Sequence, residues 1–232
     1  GGRTATFMGL KSIPACAEAI LVERDIRLVR MTGARWHAAH LSTRDALDTI
    51  RRAKNDGLNV TAGTAPHYHA LNDLELGEYR TFARVSPPLR EESERLAVIE
   101  GIKDGTIDVI SSQHLPQSAD SKRVPFAQAK PGVIGLETML PVSLRLYHNG
   151  DVSLLRLLHT MTVAPAKLLG LDAGALKKGA AADLILFDTE KPWQVNGDDL
   201  LSKSKNTAFD GHLLQGRVVR TLVSGKTVFE RS

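Results

Sequence analysis

Residues 35–63 read RWHAAHLSTRDALDTIRRAKNDGLNVTAG, and the way this stretch divides decides the fold. Arg35 to Leu41 is short, apolar in its centre and preceded by Gly33, the pattern of a buried strand. Ser42 or Thr43 can cap a following helix in which Ala46, Leu47, Ile50 and Ala53 share one face, because positions three and four apart return to the same side of a helical turn. Gly57 closes that helix, since glycine readily takes the left-handed conformation found at helix ends. Leu58 to Gly63 is then the next strand. Strand, helix and strand on this spacing form a βα unit, whose strands run parallel.

The unit recurs outward from this stretch. Upstream, Ile13 to Arg30 carries Ala17, Ile20, Leu21 and Leu28 at helical spacing, with Pro14 in the first turn. Downstream, the second strand runs into Thr64-Ala65-Pro66-His67-Tyr68-His69. After Ser86-Pro87-Pro88-Leu89-Arg90 a helix through Leu96, Ile99 and Ile102 ends at Gly105. Thr106 to Ser111 is a third strand, and two helical stretches follow at Met139–Tyr147 and Leu154–Leu169. The character changes near Gly170: Ala182–Asp188 and Gly216–Val223 read as strands, and Ser224-Gly225 turns the latter into Lys226–Phe229 as a hairpin. The chain therefore divides into an α/β part over 1–169 and a small β module over 170–232.

Bulk composition narrows the partners. The chain has 232 residues, 42% hydrophobic and 24% charged, which is ordinary for a globular protein. Its net charge of +4 comes from scattered Lys and Arg, and with aromatics at 5% this excludes a nucleic-acid surface. No stretch approaches the roughly 18 apolar residues that span a bilayer, so a cytoplasmic protein without a membrane partner is expected. The single cysteine, Cys16, rules out an internal disulfide and reads as a buried structural thiol. Gly1-Gly2-Arg3 begins abruptly, as though cut from something longer.

In parallel βα folds, ligands collect at the carboxyl ends of strands, and all three strand ends here carry histidine: His40, His67 with His69, and His114. Histidine there serves as a metal ligand or as an ordinary hydrogen-bonded residue, and spacing alone does not choose. No G-x-S-x-G elbow or Gly-rich phosphate loop occurs. Asp104 and Asp108 precede or begin the third strand, the wrong end for chemistry, and read as turn and cap residues. The third strand end, DVISSQHLPQ over 108–117, carries hydrogen-bonding groups but no carboxylate after Asp108.

A resemblance explains that gap. The strings His37-Ala38-Ala39-His40-Leu41-Ser42-Thr43, Val60 to His67, Ser86-Pro87-Pro88-Leu89-Arg90, Asp104 to Ile110, Gly135-Leu136-Glu137-Thr138, Asn206-Thr207-Ala208-Phe209 and Gly216-Arg217-Val218 together resemble dihydroorotase of the long bacterial type. The match runs in order from about residue 5 to 230. It implies an amidohydrolase (β/α)8 barrel of TIM type, of which this chain supplies the last three strands, with a side β-sandwich. The implied reaction is hydrolysis or closure of a cyclic amide, dihydroorotate to and from N-carbamoyl-L-aspartate, in pyrimidine biosynthesis. A zinc centre activates water, and a strand-end Asp accepts the water's proton and returns it to the leaving nitrogen.

By the same resemblance His40 is the last histidine ligand of the metal. Gln113 replaces the catalytic Asp, and Gln117 the histidine that contacts the substrate carboxylate. Ser86 replaces a substrate-binding Asn, and Gly63 stands where Glu is frequent, while His67 and His114 are kept. A carboxamide accepts no proton near pH 7, so the substitution at Gln113 costs on the order of a hundredfold or more in rate. The family's H-x-H strand, bridging ligand and earlier histidine are not among these 232 residues, so the segment is expected to belong to a longer chain. Two readings follow. One is a hydrolase of cyclic amide C–N bonds in which His40 holds zinc, Ser86, His67 and Gln117 meet substrate, and His114 substitutes as base at Gln113. The other is a silent homologue that forms a homo-oligomer and serves as a structural partner of aspartate carbamoyltransferase.

Overall fold

The computed structural model describes residues 2–231. Strands β1 (Trp36–Ala38), β2 (Val60–Thr64) and β3 (Val109–Ile110) form a parallel sheet in that order, with His37 opposite Thr61 and Gly63 opposite Val109. Around it lie α1 (Arg3–Phe7), α2 (Ala15–Thr32), α3 (Arg44–Asn55), α4 (Pro66–Ala70), α5 (Glu92–Asp104), α6 (Ala119–Lys122), α7 (Met139–His148), α8 (Leu154–Met161) and α9 (Val163–Leu169). Strands β4 (Leu184–Gln194), β5 (Leu213–Val223) and β6 (Lys226–Glu230) make a separate antiparallel sheet in sequential order.

The α3 face foreseen from spacing is the face that packs: Ala46, Leu47, Ile50 and Ala53 are all buried. Its partner α2 uses Val22, Ile26 and Val29, whereas the expected Ile20, Leu21 and Leu28 are exposed. Cys16 is likewise exposed rather than a buried thiol. Helix α2 is apolar on more than one side, so periodicity alone could not say which side meets α3.

The N-terminus of α3 is capped from a distance. Thr43 occupies the cap position but makes no side-chain cap of its own. Instead Glu18 of α2 accepts from Ser42 N (2.8 Å), Ser42 Oγ (2.6 Å), Thr43 N (3.1 Å) and Thr43 Oγ1 (3.0 Å). A carboxylate there satisfies orphan amides and meets the positive end of the helix. At the opposite end of the strands, Lys54 Nζ donates to Gly105 O, Thr106 O and Asp108 Oδ2, and Asp108 Oδ2 also accepts from Ala62 N at 2.8 Å. Asp104 Oδ1 accepts from Thr106 N at 2.8 Å. Both aspartates are thus structural pins at the entry of β3.

The single helix expected over Leu154–Leu169 is two, broken at Thr162, whose φ of −127° and ψ of −76° are not helical. Pro165 accounts for the break, because its ring would collide with the carbonyl of Met161 in a continuous helix. Strand β4 runs past the expected Asp188 to Gln194, with register shifts on either side of Phe187–Asp188. Pro192 is tolerated because β4 pairs with β5 alone and so has a free edge. Strand β5 packs on α7, and Gly216 lies where an added Cβ would run into the buried Leu144 side chain.

Candidate active site

The carboxyl ends of the three parallel strands are held level by Leu41 N to Gly63 O (2.8 Å), Thr64 Oγ1 to Leu41 O (3.0 Å) and Ser111 N to Thr64 O (3.0 Å). His40, just beyond β1, meets Ser111 beyond β3, Nε2 to Oγ at 3.1 Å. Burial, reinforced by the like charge of His37, lowers the His40 pKa, which favours the neutral ring. Gly63 has no room for the glutamate frequent in the resembling family, since a Cβ would sit 2.6 Å from Ala39 O.

Helix α4 starts at the end of β2, with Pro66 in its first turn. It carries His67, Tyr68 and His69, all buried. Burial pushes His67 and His69 each down to about 3, so both rings are neutral. His69 belongs to the core, its Nε2 lying 3.4 Å from Ser143 Oγ of α7. Tyr68 donates its hydroxyl to Pro87 O at 2.9 Å, and burial raises its pKa.

Gln113 sits in the left-handed region, φ +43°. Its Nε2 donates to Ser86 O at 2.8 Å, which ties the end of β3 to the 86–90 loop. The carboxamide also lies against His67 and Tyr68. Yet Gln113 Oε1 and His67 Nε2, both buried, have no hydrogen-bond partner of good geometry among the described residues. Such orphans mark a place where a ligand atom or water completes the network.

His114 stands apart from this group. Its Nδ1 accepts from Gly135 N at 3.2 Å, and the ring lines a cavity of about 330 Å³ with Ile134, Glu137, Thr138 and Leu200. Ser86 lines a different cavity, of about 740 Å³, together with Arg84, Pro131 and the 9–13 segment. The structure thus brings His40, Ser111, His67, Gln113 and Ser86 to one rim and turns His114 toward another space.

Gln117, farther along the loop, is held through its backbone, whose N–H donates to Asn206 Oδ1 at 3.3 Å. Asn206, 2% exposed, also donates from Nδ2 to Gly132 O at 3.0 Å, and its carbonyl accepts from Ile134 N at 3.2 Å. Gly132, at φ +129°, has no space for a Cβ, which would meet Leu115 O at 2.7 Å and Gln117 Nε2 at 3.0 Å. Tyr68 carries no sign in the sequence of the contact its hydroxyl makes, because Pro87 lies 19 residues farther along the chain.

The described residues do not by themselves complete a zinc site. Among the described residues no group of three or more His, Cys, Asp or Glu is placed to hold a metal. His40 offers one imidazole, already facing Ser111, and the neighbouring Gln113 offers a carboxamide, a poor zinc ligand.

A parallel βα sheet with its polar groups gathered at the strand ends, joined to an antiparallel sheet, is the architecture of the amidohydrolase family. That family's profile matches residues 12–228, and the chain belongs to it. Curated relatives are named dihydroorotase. The protein of Anaplasma phagocytophilum is 45% identical over 98% of this chain and 51% of its own length, and that of Pelobacter propionicus is 45% identical over 99% and 54%. Among solved structures, the L-hydantoinase (dihydropyrimidinase) of Arthrobacter aurescens superposes with a TM-score of 0.90 at 29% identity, covering 94% of this chain and 50% of that one. The dihydropyrimidinase of Brevibacillus agri gives 0.88 at 25% identity, with 94% and 49% covered. The parallel sheet is accordingly part of a TIM-type barrel. The chain spans about half the length of the curated relatives it matches. Members of this family are generally metal-dependent. No helix among the described residues is long and apolar enough to cross a membrane.

Proposed function

We propose that this chain carries part of a dihydroorotase-type site in pyrimidine biosynthesis, acting on dihydroorotate and N-carbamoyl-L-aspartate, with its general-base position disabled. Residues 1–169 are taken as the barrel part and 170–232 as the β module. The supporting observation is Gln113: the amide at the family's proton-accepting position is tied to Ser86 O, and no Asp or Glu hydrogen-bonds to His40, His67, Ser111 or Gln113 among the described residues. Opening a cyclic amide with water requires a group that takes a proton from the water and passes it to the leaving nitrogen. A carboxamide does neither. His67, Ser86 and Gln117 are assigned to substrate binding, and His40 to the metal-facing position of the complete site.

A second reading is a silent homologue that assembles as a homo-oligomer or with aspartate carbamoyltransferase. The changes at Gln113, Ser86 and Gln117 and the exposed apolar side chains Ile20, Leu28 and Met31 of α2 favour it. The test uses the intact protein supplied with zinc and follows dihydroorotate hydrolysis in the natural form and in Gln113→Asp. Turnover that rises about a hundredfold or more in Gln113→Asp supports the disabled-base reading. Equal, fast turnover in both overturns it. No turnover in either, with co-elution alongside aspartate carbamoyltransferase, favours the partner.

A further inference from the structure

The cavity of about 740 Å³ beside Ser86 has a guanidinium without a carboxylate partner on its wall, which catalysis at Gln113 does not use. Arg84 lines it and makes no ion pair within 4 Å among the described residues; one guanidinium N–H is spent on Phe126 O, and the group lies 5.6 Å from the centre of the Phe126 ring. Directly behind it, Lys122 is buried at 3% exposure. Among the described residues the Lys122 ammonium donates only to backbone carbonyls, Thr81 O at 3.1 Å and Arg84 O at 3.4 Å, with no carboxylate in reach. Lysine is rarely buried without a counter-charge, and two neighbouring cations raise each other's cost. Burial and Arg84 together lower the Lys122 pKa to about 8, which leaves it mostly charged at neutral pH.

Three of the other charged side chains around the cavity have partners of their own. Arg90 donates to Ile13 O at 2.7 Å, Glu91 accepts from Arg3 N, and Glu94 accepts from Arg44 N. Asp73 and Lys11 also line the wall, and Asp73 makes no ion pair with Arg84. An anion placed against Arg84 would answer both cations at once. Ser86 belongs to this cavity and its carbonyl holds Gln113, so such an anion sits beside the amide-reading rim.

We propose that Arg84, backed by Lys122, is a carboxylate-binding position that takes the acid group of a small anionic ligand. This rests on the reading above only in assigning the acid group to a cyclic ureide or carbamoyl amino acid. In that assignment Arg84 supplies the charge recognition that Ser86 and Gln117, both neutral, cannot.

The test is calorimetric titration of the intact protein with succinate, with dihydroorotate and with neutral dihydrouracil, in the natural form, Arg84→Gln, Arg84→Lys and Lys122→Met. Loss of one charge-assisted contact predicts succinate binding about tenfold or more weaker in Arg84→Gln and partly restored in Arg84→Lys. Dihydrouracil affinity should not change. Lys122→Met should weaken succinate as well, and if that variant fails to fold the Arg84 pair still decides. Succinate that fails to bind the natural protein at about 10 mM, a concentration that registers even weak sites, overturns the proposal. So does equal binding to Arg84→Gln, or a parallel loss of dihydrouracil. Succinate that follows the expected pattern while dihydroorotate does not bind leaves the anion site standing and removes the dihydroorotase-type reading.

Discussion

Replacing Glu18 by alanine should cost the fold about 3 kcal/mol, far more than its place on a half-exposed helix would imply. Its carboxylate serves four donors on Ser42 and Thr43, which are 2% and 0% exposed, so water cannot readily take its place. A buried donor left without an acceptor costs about 1–3 kcal/mol, so the two amides alone give roughly 2–6, of which about 3 is expected once the loop relaxes, while the hydroxyls can rotate toward other oxygens. In a chain of 232 residues each kcal/mol lowers the melting temperature by about 2–4 °C, and the expected drop is about 6–12 °C. Glu18→Gln keeps the shape but loses the charge and one acceptor oxygen, and should cost about half as much. Urea unfolding at constant slope measures both. A loss below about 0.5 kcal/mol for Glu18→Ala, the size of an ordinary surface change, would refute the remote cap.

Two further outcomes follow from burial. Gly216→Ala, at φ +100° and facing the Leu144 side chain, should lose about 2–4 kcal/mol in denaturant titration, and pairing it with Leu144→Ala should recover the steric part. His69 is neutral in the fold, with its pKa held near 3 by burial and by the nearby His67, Arg145 and Arg95. Its folded pKa lies below the unfolded value of 6.5, so the unfolded chain binds the extra proton and stability falls as pH drops below about 6.5. Between pH 7 and 5 the loss is about 2 kcal/mol from this residue, and His69→Leu should flatten the urea midpoint over that range. An unchanged slope would mean that His69 is solvated.

The βα rhythm was legible because it rests on local rules: α3 shows one apolar stripe, and the glycines after α3 and α5 stand where those helices stop. The packing side of α2 was not, since Ile20 and Leu28 are as apolar as Val22 and Ile26 and only the position of α3 separates them. The cap on α3 was read as local to Ser42 and Thr43, although its acceptor lies more than twenty residues away on another helix. Gln113, Ser86 and His67 were picked out by resemblance, and the fold brings them to one rim. His114, picked out in the same way, turns elsewhere because Gly135 N holds its ring. Lys122 gave no signal at all: within Asp120-Ser121-Lys122-Arg123 it reads as one more solvated charge, and its burial arises only when residues 81–84 close over it.

The carboxamide of Asn206 bridges positions 89 and 74 residues earlier in the chain, at Gln117 and Gly132. Closing loops of that length is slow compared with forming βα neighbours, so the contacts of Asn206 with Gln117 and Gly132 form later than the βα layer. Until Asn206 has docked, the Gln117 N–H and the Gly132 carbonyl lack the side chain that joins them. A product that stops before Asn206 would therefore keep the βα layer while lacking this brace between the Gln117 and Gly132 backbones.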